Sequence, residues 1–375
     1  MIQPGATLGV LGGGQLGRMF AVAARTLGYR LVVHSPVPES PAGWLADEVI
    51  EAPLDDPRAL QRIAELCDAV TVEFENVPAA SLEWLAGRVT VRPSARALAV
   101  AQDRRREKAF AAEEGLAITP TRVIEHLDDV DAAWEAVGGP AILKRATQGY
   151  DGKGQVRVAD PREARGALAA LGELPCVLER QVDLAGEVSV VLARSKDGEV
   201  ETFPLCENIH VNGILHTTVA PARVSPEVAE RARAMAIRLA EALDYIGVLA
   251  VELFVARDGS VLFNEMAPRP HNSGHYTLNA CVTSQFEQQV RTLAGLPLGD
   301  PSLLRPAAMV NLLGDLWLDR EPDFARLLRH PRVKLHLYGK AEPRPGRKMG
   351  HLTFLAATPE EALSELESAY AELLG

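Results

Sequence analysis

Glu252-Leu253-Phe254-Val255-Ala256-Arg257-Asp258-Gly259-Ser260-Val261-Leu262-Phe263-Asn264-Glu265 reads as two apolar strands joined by a tight turn. Asp-Gly is a preferred central pair for a two-residue hairpin loop, and with Asp258 and Gly259 at the tip Glu252 falls directly opposite Glu265. Val251, Leu253, Phe254, Phe263 and Met266 make the sheet around these acids apolar. Like charges opposed at about 5 Å between Cβ atoms are destabilising and call for a compensating group. A divalent cation supplies it. Hard carboxylate oxygens select Mg2+, with Mn2+ as a substitute, and Mg2+ binds typically through one or two carboxylates plus substrate phosphates. Solvated acids on a surface hairpin, or a pair sharing one proton, are the competing readings. Asn264 points to the opposite face unless the strand bulges.

Downstream, Met266-Ala267-Pro268-Arg269-Pro270-His271-Asn272-Ser273-Gly274-His275 is bounded by prolines and cannot be regular helix or central strand. Arg269 is suited to grip a small anion through its planar fork, with His271 and Asn272 orienting it beside a metal-bound phosphate. His271 and His275 have zinc-like spacing, but the glutamate of a zinc-helix motif is absent and Gly274 disfavours the helix. Upstream, strand Ile142-Leu143-Lys144 ends in a cation, and Gly149-Tyr150-Asp151-Gly152-Lys153-Gly154-Gln155 follows before the next strand. Three glycines let such a loop fold over a polyphosphate and present N–H donors, as a lid that excludes water. A plain surface hairpin is the alternative. Near the C-terminus Lys340, Arg344, Arg347 and Lys348 gather positive charge suited to a phosphomonoester, or simply to solvent.

The N-terminal part opens strand, glycine turn, helix, strand: Thr7–Leu11, then Gly12-Gly13-Gly14-Gln15-Leu16-Gly17, then a helical run to Leu27 and the apolar run Leu31–Val33. This is the start of a parallel α/β layer. The glycine turn fits a dinucleotide site, the phosphate of another ligand, or a purely structural bend; His34-Ser35-Pro36 stands where a dinucleotide site wants a ribose-binding acid. Residues 98–114 read as one helical stretch, Ser225-Pro226-Glu227 as a capped helix start, and Pro359–Leu374 as a terminal helix. Boundaries fall near residues 97, 183 and 300.

The 375 residues carry a net charge of −11, which argues against a protein built to grip nucleic acid. Four scattered cysteines suggest neither a zinc ribbon nor a disulfide framework. No apolar run approaches the roughly 20 residues of a membrane span, and the N-terminus lacks a secretory pattern, so a cytoplasmic protein acting on small molecules is expected.

These segments, together with Glu73-Phe74-Glu75-Asn76, resemble the ATP-grasp superfamily, and within it the 5-(carboxyamino)imidazole ribonucleotide synthase family. The resemblance covers nearly the whole chain in order. It implies a mixed α/β and α+β multidomain fold: a Rossmann-like domain over 1–97, ATP-grasp halves over 98–183 with the lid and 184–300 with the metal site, and a small β-rich module over 301–375. It also implies a homodimer. ATP would meet Arg104, Lys144 and the lid Gly149, Tyr150, Asp151, Gly152, Lys153, Gly154 and Gln155 at its phosphates. Glu179, Arg180, Gln181 and Val182 would line the adenine edge, Glu187 would hold the ribose, His210 would complete the pocket, and Asn264 and Glu265 would reach the nucleotide from the hairpin. Bicarbonate, the co-substrate, would sit on Arg269, His271 and Asn272, with Lys144 neutralising the transferring phosphoryl group. Gly14, Gln15, Leu16, Glu73, Tyr150, Lys340, Arg347 and Lys348 would hold the ribonucleotide. The implied reaction joins carboxylate to 5-aminoimidazole ribonucleotide through carboxyphosphate, in purine biosynthesis. Rival readings are another ATP-grasp ligase, such as a formate-dependent glycinamide ribonucleotide formyltransferase, and a non-catalytic nucleotide-binding regulator.

Overall fold

A computed structural model of the chain describes residues 1–147, 149, 153–172 and 175–374. Among these residues the strands form three sheets. The first is parallel, in the order Glu48–Glu51, Arg30–Ser35, Thr7–Leu11, Ala69–Val72 and Thr90–Val91. Its central strands are apolar on both faces because helices cover both, as a parallel sheet requires. Helix Gln15–Thr26 follows the glycine turn, and Asp56 caps helix Pro57–Leu66 by accepting from the Arg58 and Ala59 N–H groups.

The stretch expected as one helix over 98–114 is two, Ala95–Ala101 and Arg104–Glu113. The break comes at Asp103, whose carboxylate accepts from the Arg105 N–H at 2.9 Å and so starts a new helix. The first helix spans the boundary expected at residue 97. Next comes a four-stranded antiparallel sheet in the order Thr121–Ile124, Cys176–Arg180, Ala141–Arg145 and Gln155–Val158, with helices Val130–Val137 and Pro161–Ala170 packed on it.

The third sheet runs from Val261–Ala267 through Gly247–Ala256, Leu184–Arg194, Cys206–Val211, Ile214–Ala220, Ala307–Leu313 and Lys348–Leu355 to Val333–Leu337. The strands of the β-rich C-terminal module extend the sheet of the second grasp half. Helix Pro226–Ala242 is capped by Ser225 and buries Val228, Ala232, Ala236 and Leu239 against this sheet. Helix Gln285–Ala294 bridges the domains: it packs on strands Leu184–Arg194 and Gly247–Ala256, while its Phe286, Val290 and Leu293 join Phe20, Ala24 and Tyr29 in the core of the N-terminal domain.

The hairpin differs from its expected form while keeping its consequence. Its loop has three residues, Arg257-Asp258-Gly259, closed by Ala256 N–H to Ser260 O and Gly259 N–H to Ala256 O, each 2.9 Å, with Gly259 at φ +81°. Leu253, Phe254 and Val255 consequently pair with Phe263, Leu262 and Val261, one residue off the two-residue register. Asn264 is then the extra residue of a bulge, and beyond it Glu252 lies opposite Glu265.

Candidate functional site

A cavity of about 1240 Å3 opens between the three sheets, and Glu252, Asn264 and Glu265 lie on its wall. The bulge is what lets neighbouring Asn264 and Glu265 both reach it. Glu252 faces His271, Oε1 to Nε2 3.0 Å, and Glu265 faces Arg104, Oε2 to NH1 2.7 Å. Burial raises the Glu265 carboxyl, but Arg104 and then Lys144 outweigh it and bring the pKa to about 2. The Asn264 Oδ1 is buried with no hydrogen-bond partner, beside two ionisable oxygen donors. That donor set is hard and oxygen-only, and it fits Mg2+ better than zinc. Among the described residues no group of three or more His, Cys, Asp or Glu is arranged to hold a metal, so the protein supplies only part of a cation's shell and leaves room for water and phosphate oxygens.

Lys144 reaches the cavity wall, yet its Nζ donates to Glu179 Oε2 at 2.7 Å, and Lys108 stands 3.4 Å from the other Glu179 oxygen. Burial raises the Glu179 pKa, and the two lysines more than reverse this, to about 2. The Glu179 side chain thus serves two buried cations. Arg180 and Gln181 are exposed and Val182 half-buried, and none of these four side chains lines the cavity. Glu187 and His210 do line it and pair with each other, Oε2 to Nδ1 3.0 Å. Of the lid, Gly149, Lys153, Gly154 and Gln155 lie on the wall; Tyr150, Asp151 and Gly152 fall outside the described residues.

Glu107 and Lys108 went unnoticed in the sequence. Both are buried on helix Arg104–Glu113, and Glu107 Oε1 accepts the Met266 N–H at 2.7 Å. Burial, with Glu265 adding, raises the Glu107 carboxyl against the pull of Arg104 and Lys108. The available signal was spacing: Arg104, Glu107, Lys108 and Ala111 share one helical face.

Arg269 donates its Nε to the Glu75 carboxylate, tying the anion loop to the N-terminal domain. His271 is held by Ser273, Nδ1 to Oγ 2.8 Å. Asn272 cannot serve an anion freely, because its amide exchanges hydrogen bonds of 3.0 and 2.7 Å with the buried amide of Asn311. Gln15, Leu16, Glu73, Lys340, Arg347 and Lys348 all line the cavity, and Lys340 Nζ donates to the Lys348 carbonyl at 2.7 Å. The glycine turn is not set to bind phosphate: the N–H groups of Gly14 and Gly17 donate to the Glu73 carboxylate, which fills the helix N-terminus, and Gly14 itself is off the cavity wall.

Three family descriptions match consecutive parts of the chain: a ribonucleotide synthetase preATP-grasp domain over residues 5–102, an ATP-grasp domain over 109–286, and a phosphoribosylaminoimidazole carboxylase C-terminal domain over 307–365. The N5-carboxyaminoimidazole ribonucleotide synthase of Bacillus subtilis is 42% identical, across 99% of this chain and 97% of that protein. The crystal structure of an ADP complex of an N5-carboxyaminoimidazole ribonucleotide synthetase superposes with a TM-score of 0.94 at 42% identity, over 99% of this chain and 97% of the other. The Aspergillus clavatus N5-carboxyaminoimidazole synthase, solved with ADP and 5-aminoimidazole ribonucleotide, gives a TM-score of 0.90 at 31% identity over 98% of both chains. Among the described residues no helix is long and apolar enough to cross a membrane.

Proposed function

The chain belongs to the N5-carboxyaminoimidazole ribonucleotide synthase family of ATP-grasp ligases, and from that premise we propose that its cavity uses bicarbonate, ATP and Mg2+ to carboxylate the amine of 5-aminoimidazole ribonucleotide. The protein is an ATP-dependent carbon–nitrogen ligase of purine biosynthesis. One observation carries the finer reading: the paired acids Glu252 and Glu265, the cation Lys144 and the anion-gripping Arg269 border the same cavity as Glu73 and Lys340. Phosphate-side and acceptor-side groups thus share one enclosure.

ATP lies with its phosphates toward Arg104, Lys144 and the lid, and its ribose toward Glu187 and His210. Mg2+, held by Glu252 and Glu265 with Asn264 beside them, would supply charge neutralisation on the phosphates. Arg269 and His271 hold bicarbonate, and their fixed hydrogen bonds to Glu75 and Ser273 keep them aimed. A bicarbonate oxygen bonds to the γ-phosphorus as the bond to the ADP oxygen breaks, giving ADP and carboxyphosphate. The substrate amine then bonds to the carboxyl carbon as the carbon–oxygen bond to phosphate breaks, and the amine proton leaves with the phosphate. The chain's contribution is positioning and fixed positive charge, with no covalent nucleophile. Gln15, Glu73, Lys340, Arg347 and Lys348 hold the ribonucleotide. The four cysteines are buried and widely spaced in sequence, which supports a cytoplasmic, reducing setting. The homodimer implied by the resemblance is checked by sedimentation.

The deciding assay follows ADP and product with ATP, Mg2+ and the amine present. Turnover with bicarbonate and none with formate is expected. Formate-dependent turnover would place the chain with the formyltransferases instead.

A further inference from the structure

Of the three buried glutamines on helix Gln285–Ala294, Gln285 and Gln289 stand one turn apart, and each amide reaches a different wall of the acceptor side. Gln285 clamps the backbone of His271 from both sides: its Oε1 accepts the His271 N–H at 2.9 Å and its Nε2 donates to the His271 carbonyl at 2.8 Å. The loop makes room for that amide, since a Cβ at Gly274 would stand 2.4 Å from Gln285 Oε1. Gln289 projects from the same face and donates to Thr71 Oγ1 at 3.1 Å and to the Val72 carbonyl at 3.2 Å, immediately before Glu73. A buried amide left without these partners carries a desolvation penalty, so the geometry is held at both ends.

We propose that Gln285 and Gln289 are positioning residues for carboxyl transfer: through one rigid helix they fix the spacing between the loop of Arg269 and His271 and the turn of Glu73 and Glu75 that follows strand Ala69–Val72. This rests on the carboxylation reading above and adds residues to it. Neither glutamine lines the cavity, and neither hydrogen-bonds Arg104, Lys144 or Glu265; the His271 ring, whose backbone Gln285 holds, faces Glu252. Relaxing the spacing leaves ATP binding in place while the activated carboxyl and the amine no longer meet, so that carboxyphosphate is lost to water.

The test compares wild type with Gln285→Met and Gln289→Met, measuring the KM for ATP, bicarbonate and ribonucleotide, and the ratio of carboxylated product to phosphate released. The Gln285 variant is expected to raise the bicarbonate KM, and the Gln289 variant the ribonucleotide KM, each about tenfold or more, with the product-to-phosphate ratio falling and the ATP KM unchanged. If either methionine variant does not fold, the asparagine variant at that position, one methylene short of its partners, gives the same signature. A fall in kcat alone, with all KM values and the ratio unchanged, or no change at all, overturns the proposal. Absence of carboxylated product from wild type would instead strike the functional reading, so the two failures are told apart.

Discussion

Gly17 donates its backbone N–H to the Glu73 carboxylate at 2.8 Å, and Gly14 donates to the other oxygen of the same group. The positive end of helix Gln15–Thr26 is therefore satisfied by the chain's own anion, at the edge of the cavity where the ribonucleotide is proposed to sit. Burial raises the Glu73 pKa while the two N–H groups, Lys340 and Arg269 oppose the rise. A Cβ at Gly12 would stand 2.2 Å from Glu73 Cγ, at a backbone φ of +108°. Gly12→Ala should thus cost about 2–5 kcal/mol from strain and overpacking and weaken ribonucleotide binding, leaving ADP binding intact. Urea denaturation and calorimetric titration check this; unaltered stability would mean Glu73 can vacate its place freely.

Glu265→Gln keeps the shape of the side chain but loses the charge that answers Arg104 and a hard cation. Turnover should fall about 10²–10³-fold or more, while the circular dichroism spectrum stays that of a folded protein and the thermal midpoint drops because Arg104 loses its anion. Phosphate release at saturating ATP across a magnesium series is the measurement. Full activity at ordinary magnesium would remove Glu265 from the metal site.

The facing glutamates were legible because a turn signal and strand alternation are local. Even so, the expected two-residue loop is one of three, and the extra residue in the turn is balanced by the extra Asn264 in the bulge, so Glu252 meets Glu265 by cancellation of two irregularities. The ion network of Glu107, Lys108, Lys144 and Glu179 was not legible. Its members come from a helix and two strands far apart in sequence, and they are buried together where those elements meet in the fold. The Asn272–Asn311 exchange joins residues 39 apart through an interior strand, Ala307–Leu313, that composition does not reveal. Likewise, the glycine turn reads as a phosphate loop until Glu73 is seen inside it.

Glu179→Gln tests that network. With the carboxylate gone, Lys108 and Lys144 are left buried without their shared anion, a loss of about 3–5 kcal/mol for a broken buried pair. The thermal midpoint should drop by many degrees and the ATP KM should rise as Lys144 loses its anchor. An unchanged midpoint would show that Glu107 alone can balance both lysines.

His275, His336 and His351 form a column between the 271–275 loop and the C-terminal strands, with ring centroids 4.9 Å apart for His275–His351 and 4.4 Å for His336–His351. Tyr338 Oη meets His351 Nδ1 at 2.8 Å, and the Nε2 atoms of His275 and His351 are buried without partners. Burial pushes the pKa of both imidazoles well below the usual 6.5, and neighbouring positive charge pushes further. In the folded chain they stay neutral; in the unfolded chain they bind protons near pH 6.5. Stability is therefore complete above that pH and falls as pH drops below it, by up to about 2.7 kcal/mol per pH unit for two protons. His210, whose pKa is raised despite burial by its pairing with Glu187, acts in the opposite sense, so the raw pH slope of unfolding mixes several groups. The slope difference between wild type and His351→Phe between pH 7.5 and 5.5 isolates one of them: the variant should lose about one proton's worth of slope, about 1.4 kcal/mol per pH unit at the acid end. Equal slopes would mean that His351 takes up its proton inside the fold, and that the column opens to water before the protein unfolds.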